Sequence, residues 1–170
     1  MRVERVVVRG QFLHQHTVLL DNRLRQGRPG YEVLTPLALE DGRAHVLVNR
    51  GWIAAGASRD TPPAVPAPAG PLAIEGVVKA PQRVMDLAPP SKGRVRQNLD
   101  VSGYAAETGL ALEHRVIEQH SDTGDGLLRE WPRADVGAEK NDAYALQWYS
   151  LAALAAALGV VFGFRRVAAG

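Results

Sequence analysis

The run from Ala143 to Phe164, AYALQWYSLAALAAALGVVFGF, constrains this chain more than any other feature because it contains no charged side chain. A helix of that length rises about 33 Å at roughly 1.5 Å per residue, enough for the hydrocarbon core of a bilayer. Tyr144 and Trp148 lie near one end, where an aromatic belt belongs, and Arg165 and Arg166 follow the other end. The run therefore predicts a transmembrane helix, with a buried helix in a soluble core as the alternative.

The positive charges after this run predict its orientation. Basic residues favour the cytoplasmic flank, so Arg165 and Arg166 place the preceding chain on the periplasmic side of a bacterial inner membrane, with the C-terminus cytoplasmic. Exporting such a domain requires a leader, yet the chain opens with RVERVVVRGQF, a strand pattern, so we expect an N-terminal membrane helix to be missing. The predicted domains are an extracytoplasmic mainly-β domain (1–136), a connector (137–142), the transmembrane helix (143–164) and a short cytoplasmic tail (165–170).

The chain before this run reads mostly as short strands separated by turns. The 17 glycines and 11 prolines are scattered at intervals, as in a β protein. Asp41-Gly42 predicts a hairpin turn between two strand patterns. Asp100 or Ser102 can cap one short helix, and Gly109 can end it. The predicted fold class is α+β, a mainly antiparallel, barrel-like soluble β domain with one short helix, followed by a C-terminal transmembrane helix.

Composition argues against several functions. Lys and Arg number 20 against 18 acidic residues, so the chain lacks the basic excess of a nucleic-acid-binding protein. Cysteine is absent, which excludes disulfides and thiolate metal sites. The sequence also has no Gly-x-Ser-x-Gly elbow, His-Glu-x-x-His pair or Gly-rich phosphate loop, so we predict a protein that is not an enzyme.

The stretch HVLVNRGWIAAG contains an unusual transition from apolar strand residues to Asn49, Arg50, Gly51 and Trp52. One interpretation is structural: the strand ends here, Gly51 adopts an unusual backbone angle, Trp52 packs and Arg50 pairs with a carboxylate. The other is functional, because the rigid guanidinium fork of Arg50 suits a carboxylate on a ligand or partner.

Two other groups of side chains are candidates for binding. Tyr144, Gln147 and Trp148 share one helical face at spacings of three and four, as an interfacial aromatic belt or as a binding surface. His14 and His16 would share one face of a strand, but no third ligand is evident and we predict no metal site.

Four blocks of sequence together resemble the Surfeit locus protein 1 family of membrane-anchored assembly factors for haem-copper cytochrome c oxidase. They occur in the family's order and cover nearly the whole chain. The blocks are GYEVLTPL (30–37), VLVNRGWI (46–53), DGLLREWP (125–132) and YALQWY (144–149).

The resemblance implies a function, a cofactor and partners. It implies a factor for oxidase biogenesis that helps to deliver haem a or stabilises an oxidase subunit during insertion; the alternative is a membrane-anchored module that binds a subunit without haem. The implied partners are an oxidase subunit, the machinery of haem a synthesis and delivery, and membrane lipid. Family members usually carry a haem-ligating histidine where this chain has Asn141, and an amide is a poor iron ligand. The residues left as candidates for haem a are Tyr144, Gln147, Trp148 and Arg50.

Overall fold

The computed structural model describes residues 4–42, 44–56, 61–79, 93–131 and 147–154. The chain forms two compact units, Met1–Glu130 and Trp131–Gly170. The first unit contains β1 (Arg5–Phe12), a 3₁₀ turn (His14–His16), β2 (Val18–Leu20), β3 (Gly30–Leu39), β4 (His45–Ala54), β5 (Pro71–Lys79), β6 (Val95–Arg96), α1 (Val101–Thr108) and β7 (Leu112–Gln119).

Five strands close into a barrel in the order β1, β5, β7, β4 and β3, and a second pairing between β3 and β1 completes the ring. The β4–β7 pair is parallel, and the other pairs of the ring are antiparallel. Closure leaves these strands without free edges where all five run side by side, which is how barrels avoid unpaired backbone groups. Six buried apolar side chains fill the barrel: Phe12, Leu37, Val46, Val48, Ile74 and Ile117.

Strand β4 is buried on both faces, which explains its unbroken apolar run. Val46 and Val48 point into the barrel core, whereas Leu47 packs with Val101 and Tyr104 of α1. Each fully buried valine or leucine contributes roughly 1.5–3 kcal/mol relative to an exposed one. The central position of β4 therefore follows from having apolar side chains at successive, rather than alternate, positions.

The predicted hairpin and helix are both confirmed. β3 and β4 pair antiparallel across the Asp41-Gly42 turn, where Gly42 has a φ of 66°. α1 is capped by Asp100, not Ser102, because the Asp100 carboxylate accepts from the Gly103 amide at 2.7 Å. Gly109 ends the helix with a φ of 71°, a left-handed conformation that costs glycine little.

The predicted fold class is wrong in its last element and in its class. The described fold is mainly β, and the chain described at 147–154 is helical over eight residues, about 12 Å long at the usual helical rise. Among the residues that the structure describes, no helix is long and apolar enough to cross a membrane. The remaining positions of the predicted transmembrane helix, 143–146 and 155–164, lie outside the described residues.

Candidate functional site: an arginine clamp beside strand β4

The Asn49–Trp52 stretch does not end its strand, since β4 continues to Ala54. It contains a β-bulge instead: Asn49 pairs with Leu34 and Gly51 pairs with Val33, so Arg50 is an extra residue. Bulges change the direction of side chains and increase the local twist. The prediction of a strand exit was therefore wrong, and the polar residues mark the bulge.

The bulge places Arg50 inside the protein. Its side chain is fully buried, with 0% relative exposure, and its guanidinium lies 4.8 Å from the centre of the Phe12 ring in the barrel core. Nη2 donates to the Asp125 carboxylate at 2.9 Å and to the Pro66 carbonyl at 2.8 Å. Nε and Nη1 have no hydrogen-bond partner among the described residues. The predicted pairing of Arg50 with a carboxylate is confirmed.

Asp125 is shared between two arginines. Its second oxygen accepts from Arg129 Nη2 at 2.5 Å and from the Leu127 amide at 3.3 Å. Arg129 also donates to Asp122 at 3.3 Å, but that carboxylate is 82% exposed. The buried part of the clamp formed by Arg50, Asp125 and Arg129 therefore has two positive charges against one negative charge.

The electrostatics of the clamp follow from this imbalance. Burial alone would raise the pKa of Asp125, but the hydrogen bonds and charges of Arg129 and Arg50 outweigh it, so the pKa lies below its ordinary value. Burial lowers the pKa of Arg50, and its pairing with Asp125 opposes that effect. Asp125 stays ionised near neutral pH because its pKa lies below the ordinary value. Arg50 stays ionised because a guanidinium does not lose its proton in proteins.

The segment from Asp122 to Glu130, here called the strap, lies along β4. The Trp52 amide donates to the Leu128 carbonyl at 2.8 Å, and the Leu128 amide donates back to Trp52 at 2.9 Å. Gly51 has a φ of 140°, and a Cβ atom there would lie 2.8 Å from the Leu128 carbonyl oxygen. Only glycine fits this close approach. The unusual backbone angle predicted for Gly51 is confirmed.

Trp52 connects the clamp to the start of β3. It is 3% exposed, its indole packs where a side chain on Gly30 would lie, and Nε1 donates to the Arg23 carbonyl at 2.8 Å. The Asn49 side chain donates to the Glu32 carboxylate at 3.2 Å, and the same carboxylate accepts from Arg25 at 2.9 Å. Three of the four resemblance blocks, 30–37, 46–53 and 125–132, thus meet at one place.

The other predicted site residues belong to the second unit of the chain. Gln147 and Trp148 are on the helical residues 147–154 of the second unit, where both side chains are exposed, Trp148 at 70%. Tyr144 and Asn141 lie outside the described residues. Within the described part of the chain, no group of three or more His, Asp or Glu side chains could hold a metal ion.

Of the residues considered for haem a, Arg50 is placed where its fit can be judged. Its side chain has no exposure, and the guanidinium is enclosed by Phe12, Pro66 and Asp125. A haem propionate would have to displace at least one of these groups to reach it. The buried position does not fit a direct contact, so we assign no step through haem to Arg50.

Sequence reasoning missed Asp125 as the partner of Arg50. The two residues are 75 positions apart, and the only signal was that both stand in blocks of the resemblance. The clamp does not bring a nucleophile and a base together. The clamp joins the strap to the bulge of β4, and Trp52 joins both to the start of β3. These three parts are here called the corner.

Comparison with known proteins finds the same family that these sequence blocks resemble. Residues 1–153 match the model of the SURF1 family. The chain is 29% identical over 161 residues to an uncharacterised SURF1-like protein of Mycobacterium bovis, and equally to SURF1-like proteins of two Mycobacterium tuberculosis strains; each alignment covers 89% of this chain.

A shorter alignment reaches a yeast relative. The chain is 37% identical over 49 residues, 29% of its length, to the cytochrome oxidase assembly protein SHY1 of Saccharomyces cerevisiae, and covers 13% of that protein. The chain spans 56% of the length of the mycobacterial relatives. The family match over most of the chain is decisive: this chain belongs to the SURF1 family, the Surfeit locus protein 1 family that its sequence blocks resemble.

Proposed function

We propose that this protein acts in the assembly of haem-copper cytochrome oxidase by binding an oxidase subunit during its insertion. The proposal is supported by membership of the SURF1 family and by the similarity to a yeast protein named for cytochrome oxidase assembly. The structural observation that carries it is the clamp, because three sequence blocks of the resemblance build one rigid corner from buried charges and not a reactive centre. A preorganised surface is what a binding module requires.

The test is deletion of the gene in its own host, followed by resupply of the complete gene product. We expect the amount of assembled oxidase, measured as terminal oxidase activity per milligram of membrane protein, to fall at least fivefold on deletion and to recover with the wild-type gene. Succinate dehydrogenase activity in the same membranes is the control. Unchanged oxidase, or an equal loss of both activities, would refute the proposal.

Delivery of haem a is the finer form of this function and stays a prediction. Its test is the visible spectrum of the complete gene product, purified in detergent from cells that make haem a, beside an Asn141→His variant. A haem spectrum in the unchanged protein would mean that another residue supplies the iron ligand. A spectrum only in the variant would favour the subunit-binding module. The predicted periplasmic location is tested on the same cells by protease treatment of spheroplasts.

A further inference from the structure

Strand β1 extends beyond the strand that covers one of its edges. It pairs with β5 over Arg5–Gln11 but with β3 only over Gly10–Phe12. The reason is the turn at Asp41-Gly42, where β3 ends and the chain runs back as β4. The first part of β1, here called the overhang (residues 5–8), therefore has β5 on one side and no strand of the described chain on the other.

The backbone hydrogen bonds of β1 alternate between its two edges. The Glu4 carbonyl accepts from β5, so every second residue after Glu4 also bonds to β5. The Arg9 carbonyl accepts from the Glu40 amide, so Arg9 and alternate residues before it point to the other edge. The amides and carbonyls of Arg5 and Val7 thus face the uncovered edge, where they have no partner among the residues that the structure describes.

The side chains of β1 show the same loss of cover. Gly10 and Phe12, which lie beside β3, are buried. Val6 and Val8 pack against the same barrel core but are only half-buried, and Val7, on the outer face of the sheet, is 64% exposed. An uncovered strand edge of this kind is a template for pairing with another strand.

We propose that the overhang binds the overhang of a second copy of this chain, as two antiparallel strands related by a two-fold axis. The register sets Val6 opposite Val6 of the second copy, and Arg5 opposite Val7. Each of the two Arg5–Val7 pairs exchanges two backbone hydrogen bonds, so every free group on each copy gains a partner. The inference does not depend on the proposed function.

The charges and the neighbouring chain select this register. Registers centred on Arg5 or on Val7 would each set two arginines directly opposite one another, which is destabilising. The register centred on Val7 also needs the edge of Arg9, which Glu40 already occupies. The register centred on Val6 avoids both conflicts, and its Val6 pair extends the apolar core across the contact.

The outer faces of the two copies are complementary in charge. Glu75 of β5 lies opposite Val7, and neither Glu75 nor Arg5 has an ion pair within the described chain. In the proposed pairing, one row across the sheet contains Glu75, Val7 and then Arg5 of the second copy. The two charged residues are two strand spacings apart, roughly 10 Å between their backbones, and their extended side chains meet above Val7. The pairing therefore forms two equivalent ion pairs and covers both copies of Val7.

The first test is a cross-link, because the chain has no cysteine of its own. Val6→Cys places two thiols on a non-hydrogen-bonded pair whose Cα atoms lie about 4.5 Å apart, within the range of a disulfide. We expect diamide to convert at least half of the full chain to a disulfide-linked dimer. Val8→Cys is the matched control, because it is another half-buried valine on the same face. Its two copies would lie roughly 13 Å apart along the strands, so it should cross-link at least tenfold less.

The second test measures dimerisation of the full chain by sedimentation. Val7→Pro removes an amide that faces the uncovered edge and makes no bond to β5, so it should weaken dimerisation at least tenfold and leave the urea midpoint near that of the wild type. Arg5→Glu should weaken it about threefold, and Arg5→Glu combined with Glu75→Arg should restore the wild-type affinity. Leu24→Glu is the control, since Leu24 is exposed outside the overhang, and it should change nothing.

Three results would overturn the inference. The first is a monomeric wild type together with equal cross-linking of Val6→Cys and Val8→Cys. The second is a cross-link through Val7→Cys and not through Val6→Cys, which would mean a different register. The third is a monomeric wild type whose affinity for an oxidase subunit falls in Val7→Pro. The occupant of the overhang would then be a segment of that subunit and not a second copy of this chain.

Discussion

Two buried arginines in this barrel domain are built alike but differ in their access to water. Arg50 lies over the ring of Phe12 at 4.8 Å, and Arg96 lies over the ring of Tyr104 at 5.1 Å. The side chain of Arg50 is 0% exposed, and that of Arg96 is 7% exposed. Each guanidinium is thus removed from water and placed against an aromatic face, an arrangement that is attractive when the cation is desolvated.

The difference lies in the carboxylates. Asp125, which binds Arg50, is 0% exposed, whereas Glu107, which binds Arg96 at 2.6 Å, is 38% exposed. Water can replace Glu107 as a partner of Arg96, but it has no access to Arg50. We therefore expect the exposure of the carboxylate, more than the length of the ion pair, to decide what each pair contributes to stability.

The two pairs also hold different structures. Arg96 joins β6 to α1 and donates to the Gly93 carbonyl at 2.7 Å, so it fixes a helix on the outside of the barrel. Arg50 joins the barrel core to the strap through Asp125. Breaking the second pair should affect the corner that we propose for binding, and breaking the first should not.

The largest effect is expected for Asp125→Ala. Removing this carboxylate leaves the Arg50 guanidinium buried without a counter-charge, and we expect the free energy of unfolding to fall by about 3–5 kcal/mol. The measurement is a urea titration of the full chain followed by far-UV circular dichroism.

Asp122→Ala is the matched control for that substitution. Asp122 also binds Arg129 but is 82% exposed, so its loss should change stability by about 0.5 kcal/mol or less. Equal losses for the two variants would show that burial of the carboxylate is not what matters.

Acid should weaken the same pair in a smaller, graded way. Because the pKa of Asp125 is lower in the folded protein, its ionisation stabilises the fold above the unfolded-state pKa of about 3.9. That contribution is lost as the pH falls through the lower, folded-state pKa. A protonated Asp125 can still accept from Arg50, so the loss should be smaller than in Asp125→Ala.

The control for the acid effect is Asp125→Asn, which has no charge to titrate. Between about pH 5 and pH 2, the free energy of unfolding of the wild type should fall more steeply than that of this variant. Parallel curves for the two proteins would contradict the assigned direction of the pKa shift.

Replacing both partners should restore much of what one substitution removes. Arg50→Met combined with Asp125→Leu removes the Arg50–Asp125 pair and keeps apolar volume beside Phe12, while Arg129 keeps Asp122 as its partner, so we expect a loss of about 2 kcal/mol or less. The readout is the same urea titration. If the double variant were as unstable as Asp125→Ala, the cost would come from lost packing and not from an uncompensated charge.

Local sequence patterns predicted the local structure well. The turn at Asp41-Gly42, the cap at Asp100 and the stop at Gly109 each depend on residues within a few positions of one another. The family, too, was recognisable from short blocks in order. Such features require no knowledge of which distant residues meet.

The bulge and the clamp required that knowledge. The sequence indicated that Arg50 needs a carboxylate, but 18 acidic residues were available and nothing local selected Asp125. The prediction that the strand ends at Asn49–Trp52 was wrong because polar residues in a strand can mark a bulge as well as the end of the strand. The transmembrane prediction used the length of the uncharged run and the aromatic and basic residues near its ends, but no helix among the described residues is long and apolar enough to cross a membrane.

The smallest effect, and the one that sharpens the comparison most, is expected for Glu107→Ala. It removes an ion pair that is shorter than the Arg50–Asp125 pair, 2.6 Å against 2.9 Å, yet water can reach the vacated site. Arg96 also keeps its bond to Gly93 and its contact with Tyr104. We expect a loss of about 1 kcal/mol or less in the free energy of unfolding and unchanged affinity for the oxidase subunit. A loss above about 3 kcal/mol would mean that the pair behaves as a buried one, and distance would then replace solvent access as the rule that separates the two arginines.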